Sequence, residues 1–283
     1  MQQTEFHCAI SDGMPAYCQL WQPDAYTPTR AVICLIHGLG EHSSRYLHFA
    51  KFMTAKGIAV AATDLRGHGK TEGRRGDVVA YSTLLDQTER LVQTIEQRLP
   101  NLPIVLYGHS MGGNIAINYA ITRPKGLRGV VVSAPYLRTT QPIPALKLWL
   151  AKAMKNVWGG WSENNGLNLE KLSRLPQVVQ AYRNDPLVHP KISVRWFYGA
   201  TEAAKYAFAH IAELAIPMLL MHGTDDAITS HEASAELAAL NPQHITFQSW
   251  KGLYHELHNE PEQNEVMQLT AKWIADNCMA ASV

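Results

Sequence analysis

Residues 108–112 read Gly-His-Ser-Met-Gly, and their neighbours give the pentapeptide its force. An apolar run, 102–107, leads in, and a helical pattern, 111–121, leads out. A chain that passes from strand to helix through one serine turns so sharply that a Cβ on either flank collides with backbone, hence glycine on both sides. The turn forces the Ser110 hydroxyl outward. It also aims the N–H of Met111, and the positive end of the new helix, at any negative charge that develops there.

The rest of the chain repeats this alternation. Apolar runs predict strands at 31–36, 58–62, 103–107, 128–133, 217–222 and 244–250. Helical periodicity covers 45–56, 82–98, 111–122, 230–240 and 262–277. Continuous Val/Ile/Leu runs separated by helices predict a mostly parallel sheet with helices on both faces. Segments 6–10 and 16–21 fit an antiparallel edge hairpin around Asp12-Gly13. Between 136 and 207 the rhythm breaks: helical patterns, four of the seven tryptophans and no parallel-strand pattern. The expectation is a core of 1–135 and 208–283, interrupted by an insertion, 136–207.

Composition narrows the function classes. With 283 residues, 46% hydrophobic and 17% charged, the chain can bury a sizeable core. The 25 basic and 24 acidic side chains leave no basic footprint, and no nucleic-acid motif is present, which excludes nucleic acid as a partner. No apolar stretch reaches membrane-spanning length, and the first eleven residues lack a signal-peptide pattern. Cys8, Cys18, Cys34 and Cys278 show no CxxC spacing and are expected to be reduced thiols of a cytoplasmic protein.

A serine hydroxyl is a poor nucleophile at neutral pH; it needs a base, and the base needs an orienting carboxylate. In open α/β sheets such groups sit at carboxyl ends of strands, in the order Ser, Asp or Glu, His. The run after 217–222 gives His222-Gly223-Thr224-Asp225-Asp226, and the run after 244–250 gives Tyr254-His255. Asp225 and Asp226 compete for the carboxylate role, since an aspartate in a turn is commonly a turn former. An oxyanion hole needs a second N–H, and Leu39 in His37-Gly38-Leu39-Gly40, directly after the first core strand, supplies the candidate beside Met111.

Several longer segments are similar to the monoacylglycerol lipase and bacterial lysophospholipase family of α/β-hydrolases. They are His37-Gly38-Leu39-Gly40-Glu41-His42-Ser43-Ser44-Arg45-Tyr46, Asp64-Leu65-Arg66-Gly67-His68-Gly69-Lys70-Thr71-Glu72-Gly73, Gly108-His109-Ser110-Met111-Gly112-Gly113, the 222–226 segment as HGxxD, and Tyr254-His255-Glu256-Leu257-His258-Asn259-Glu260. The resemblance spans about 10–277. It implies an α/β-hydrolase fold whose insertion is a helical cap, a catalytic set of Ser110, Asp226 and His255, and no metal or cofactor. HGxxD selects Asp226 over Asp225. The resemblance further implies that Arg45, His109 and Tyr182 hold the glycerol end of a monoacylglycerol, while Asp64 and His68 fix their own loop. The cap cysteines of mammalian members have no counterpart in 136–207.

Residues 143–158 place Leu146, Trp149, Leu150, Ala153, Met154, Val157 and Trp158 at helical spacing, with Lys147, Lys152 and Lys155 mostly off that stripe. The stripe fits packing on the main body, which base rates favour, or a peripheral contact with a membrane or micelle. The expected activity is cleavage of monoacylglycerols to glycerol and fatty acid through an acyl-enzyme. The rivals are a lysophospholipase, a general carboxylesterase on short single-chain esters, and a catalytically silent binder on the same fold. A proline-iminopeptidase-like peptidase would need an acidic site for an amine in the cap, which the sequence does not reveal.

Overall fold

The computed structural model describes residues 1–10 and 13–279. Ten strands form: β1 (Gln2–Ala9), β2 (Pro15–Gln22), β3 (Ala31–Ile36), β4 (Ile58–Thr63), β5 (Ile104–His109), β6 (Leu127–Ser133), β7 (Ser162–Asn164), β8 (Lys191–Ser193), β9 (Met218–Gly223) and β10 (Ile245–Trp250). The helices are α1 (Leu47–Ala55), α2 (Tyr81–Arg98), α3 (Met111–Thr122), α4 (Ala145–Met154), α5 (Pro176–Asn184), α6 (Val194–His210), α7 (His231–Ala239) and α8 (Gln263–Cys278).

Eight strands make one sheet in the order β1-β2-β4-β3-β5-β6-β9-β10. β3, β4, β5, β6, β9 and β10 pair in parallel; β2 pairs antiparallel with both β1 and β4. The β1–β2 register sets Phe6 against Cys18 and Cys8 against Ala16. Of the expected turn, Asp12 lies outside the described residues, and Gly13 takes a φ of +81°. The central strands are buried along their length because both faces are covered. Phe49 and Met53 of α1 and Val266 and Ile274 of α8 pack one face. Leu84 and Leu91 of α2, Ile115 of α3 and Leu237 of α7 pack the other.

Between β6 and β9 the chain leaves this sheet and forms α4, α5, α6 and the antiparallel pair β7–β8. Helix α6 continues to His210, so the expected boundary at 207 falls inside a helix. Buried Ala200, Ala203, Ala204 and Ala207 give that helix one small-residue face that can lie close to its neighbours across the boundary. The helical run expected over 143–158 is helix only to Met154, and the chain turns before Gly159-Gly160. Nor does its apolar stripe pack on the body. Ala151 is the one buried residue of α4, and Trp149, Trp158 and Trp161 are 63–67% exposed. Periodicity reported the stripe but not which surface it would meet.

The β5–α3 turn is held by close backbone approach. A Cβ on Gly108 would stand 2.3 Å from the Gly112 carbonyl oxygen, and one on Gly112 would stand 2.1 Å from that of Ile36. Both are far inside contact distance and both obstacles are backbone, so nothing can rotate away. Gly112→Ala should therefore lower the unfolding free energy by about 1–3 kcal/mol, the usual cost of overpacking. Urea unfolding measures this; an unchanged midpoint would contradict the geometry.

Candidate active site

Ser110 joins β5 to α3 with φ +53° and ψ −116°, a conformation that side-chain-bearing residues rarely adopt. Three backbone hydrogen bonds hold it there. Its N–H donates to the Ser133 carbonyl at 2.9 Å, and its own carbonyl accepts from Asn114 and Tyr136 at 3.1 and 2.9 Å. The hydroxyl consequently points away from the sheet, 2.9 Å from His255 Nε2. His255 Nδ1 lies 2.7 Å from Asp226 Oδ2, and both side chains are buried. Serine, imidazole and carboxylate thus stand in one line, each at the carboxyl end of a parallel strand. Asp225, by contrast, is exposed and accepts from its neighbour, the Thr224 hydroxyl, at 2.7 Å.

The Asp226 carboxylate is held from several sides. Oδ1 accepts from the N–H groups of Ile228 and Thr229 at 2.7 and 3.1 Å. Oδ2 accepts from His222 Nε2 at 3.0 Å, with the Thr229 hydroxyl also 3.0 Å away. Burial alone would raise this carboxyl, but His255 and His222 hold it well below the usual carboxylate range. In turn, burial alone would lower the His255 imidazole, and the Asp226 charge outweighs it, keeping the ring above its ordinary 6.5. His222 and Thr229 were not singled out in the sequence. The only trace of the first is that His222 opens the segment containing Asp226.

Beside the serine, Met111 is the first residue of α3, so its N–H is one of the orphan donors of a helix start. Leu39 follows Gly38, whose own N–H is taken by Glu41 Oε1 at 2.7 Å. Both Leu39 and Met111 line a cavity of about 420 Å³ that opens over Ser110 and His255. That volume lies within the range of small-molecule sites, ~300–1,000 Å³. Apolar side chains of the insertion, among them Ile143, Leu167, Leu172, Ile192 and Phe197, line it with Ile228 of the core.

Of the three residues expected to hold a polar head, His109 and Tyr182 line this cavity and Arg45 does not. Arg45 is set back behind Tyr182, its guanidinium 4.6 Å from the ring centroid. It donates to Glu256 through two nitrogens at 2.8 and 2.9 Å and to Glu41 at 2.6 Å, which leaves little of it for a ligand. Burial would raise the Glu256 carboxyl, but Arg45 holds it well below its usual range. The two glutamates, which sequence reasoning passed over, line the cavity themselves. Burial pushes the His109 imidazole down to about 3, so it is neutral at working pH, and its buried Nδ1 has no hydrogen-bond partner among the described residues. Asp64 stays in its loop, accepting from Ser43 N–H, the Ser43 hydroxyl and Lys70 N–H at 2.8, 2.6 and 2.8 Å. The insertion is tied to the 37–46 loop by His189 N–H to the Gly40 carbonyl at 2.9 Å and by His42 to Asp185 at 2.8 Å.

A serine hydrogen-bonded to a buried imidazole–carboxylate pair, beside a helix N-terminus and a mostly apolar cavity, is an arrangement that can carry out acyl transfer. Comparison with known proteins agrees with that chemistry. The family model described as serine aminopeptidase, S33, matches residues 27–262. A monoacylglycerol lipase of Mycolicibacterium smegmatis is 32% identical over 97% of this chain and 98% of its own length. A phospholipase of Bacillus subtilis is 29% identical over 88% of this chain and 96% of its own. The crystal structure of a monoacylglycerol lipase from Paleococcus ferrophilus superposes with a TM-score of 0.86 at 32% identity, covering 93% of this chain and 100% of that one. The chain is therefore a serine ester hydrolase of the α/β-hydrolase fold, a member of the serine aminopeptidase S33 family that includes its monoacylglycerol lipase relatives.

Proposed function

We propose that the chain hydrolyses monoacylglycerols through an acyl-enzyme, with Ser110, His255 and Asp226 as the catalytic set. The observation that carries the reading is the Ser110–His255–Asp226 line opening into a mostly apolar cavity of about 420 Å³. His255 Nε2 takes the Ser110 proton as Oγ attacks the ester carbonyl. The N–H groups of Leu39 and Met111 hold the oxyanion. His255 returns the proton to the leaving glycerol oxygen, which leaves an acyl-serine. Water, deprotonated by His255, then releases the fatty acid and restores the serine.

The polar side of the cavity favours a neutral head. Glu41 and Glu256 are already paired with Arg45, which is set back from the lining, and the lining Lys147 is paired with Glu163, so a phosphate beside those glutamates would face carboxylates. Glycerol hydroxyls instead find Tyr182 and the neutral His109. Arg45 serves the head indirectly, by fixing Tyr182 and the two glutamates. The insertion acts as the cap over this cavity. Its exposed Leu146, Trp149 and Trp158 would contact the lipid dispersion from which the substrate is drawn. Among the described residues no helix is long and apolar enough to cross a membrane, so such contact would be peripheral.

Ser110→Ala should lower kcat by about 10⁶ and Asp226→Asn by about 10⁴, while Asp225→Asn keeps most activity. Because only neutral His255 can act as base, kcat/KM of the wild type should fall on the acid side with a midpoint above 6.5, since Asp226 raises that imidazole. Residual turnover of Asp226→Asn, which lacks the raising charge, should show the midpoint moved to lower pH; a midpoint unmoved by the substitution counts against the assignment.

With acyl chains matched, kcat/KM for monoacylglycerol should exceed that for lysophosphatidylcholine by at least about tenfold, the loss expected when a site's polar groups meet the wrong head. The reverse preference would make the chain a lysophospholipase. Trp149→Ala should weaken turnover of dispersed long-chain monoacylglycerol and spare a soluble short-chain ester, because only the first requires an interface. Equal losses on both substrates would remove the lipid-surface role.

A further inference from the structure

Three of the four cysteines, Cys8, Cys18 and Cys34, share one face of the sheet, and two of them touch. Cys18 Sγ lies 3.4 Å from Cys8 Sγ, diagonally across the β1–β2 ladder. The contact is part of a chain of hydrogen bonds. The Cys18 thiol points to the Cys8 sulfur, the Cys8 thiol donates to Thr94 Oγ1 at 3.4 Å, and the Thr94 hydroxyl donates to the Arg90 carbonyl at 2.7 Å. β1 is the edge strand, bonded to β2 alone, so it can shift without breaking the rest of the sheet. Arg98 lies over the Phe6 ring, two residues from Cys8 on the same face of β1.

We propose that Cys8 and Cys18 form a dithiol that hydroperoxides oxidise reversibly to an intrachain disulfide; the inference is independent of how the active centre works. Cys8 is the attacking sulfur. The contact with the Cys18 thiol, helped by Thr94 and Arg98, outweighs the burial that would raise the Cys8 thiol and holds it below its ordinary range, favouring the thiolate, which is the nucleophilic form. Its electron pair attacks the terminal peroxide oxygen, the O–O bond breaks, and with one proton the product is a Cys8 sulfenic acid plus water or an alcohol. The Cys18 sulfur then attacks the Cys8 sulfur, and hydroxide leaves as water with the Cys18 proton. Two thiols lose two electrons and the peroxide gains them. The sulfurs must close from 3.4 Å to about 2.05 Å, an approach that the free edge of β1 permits. Cys34 lies on β3, and Cys278 at the end of α8 in the opposite core cluster, so neither replaces Cys18 in contact with Cys8.

The full-length protein, reduced and then treated with hydrogen peroxide, tests this. Titratable thiols in denaturant should fall from four to two, a dithiol reductant should restore them, and peptide mapping should join the Cys8 and Cys18 peptides with a loss of 2 Da. Cys34→Ser should keep this cross-link. Cys18→Ser should abolish it and leave a sulfenic acid on Cys8 that a 1,3-dione captures. The nine methionines gain oxygen under the same treatment, so the reading is taken on cysteine peptides. Four thiols surviving peroxide, a cross-link through Cys34 or Cys278, or oxygen adducts on Cys8 without a Cys8–Cys18 bond in the wild type would overturn the proposal.

Discussion

The candidate active centre depends on one unfavourable backbone conformation. At φ +53°, Ser110 occupies a region that costs a side-chain-bearing residue of order 1–3 kcal/mol. The packing around it leaves no alternative. Gly112 brings the start of α3 against the end of β3, Gly108 brings the end of β5 against the turn itself, and three backbone hydrogen bonds fix the serine's peptide groups. Relaxing the serine would require α3 to move off the sheet that buries Ile115 and Ile117. The strain therefore persists, and it is what separates the hydroxyl from the helix and presents it to His255.

The charge arrangement follows the same logic of over-determination. One carboxylate, Asp226, collects two backbone N–H groups and two imidazoles. A buried charge with that many donors stays ionised, and an ionised Asp226 is what keeps His255 basic although burial opposes it. A second buried system, Glu41–Arg45–Glu256, does comparable work for the loop carrying Leu39. Glu41 binds the Gly38 N–H, the Tyr46 hydroxyl and Arg45 at once, so the loop, α1's approach and the segment after His255 are locked together.

How much of this the amino-acid sequence disclosed divides along physical lines. That Ser110, an aspartate of 225–226 and His255 meet was readable because each follows an apolar run, and parallel strands deliver their carboxyl ends to one edge whatever the loops do; the choice of Asp226 came from the HGxxD resemblance. The positions of the core strands along the chain, the edge hairpin and the helices on both faces were readable from periodicity and the hairpin's turn residues, whereas the order of the strands in the sheet was not. The position of Arg45 was not, because its partner Glu256 lies 211 residues away and pulls the guanidinium off the cavity. Nor was the role of His222 and Thr229, which depends on the turn after β9 bending back on Asp226. The apolar stripe of α4 was visible, yet its exposure was not, since period 3.6 describes a helix and says nothing of its neighbours. The contact between Cys8 and Cys18 needed the residue-by-residue register of β1 against β2, which placing the turn at Asp12-Gly13 leaves open.

The central claim is that the strained Ser110, coupled to buried His255 and Asp226, is the nucleophile. Covalent labelling with a fluorophosphonate, read by intact mass and peptide mapping, tests it most directly. The account predicts one adduct per chain, on the peptide that contains Ser110, formed at a rate that collapses in Asp226→Asn. An adduct on any other serine, or labelling whose rate ignores Asp226, would contradict it.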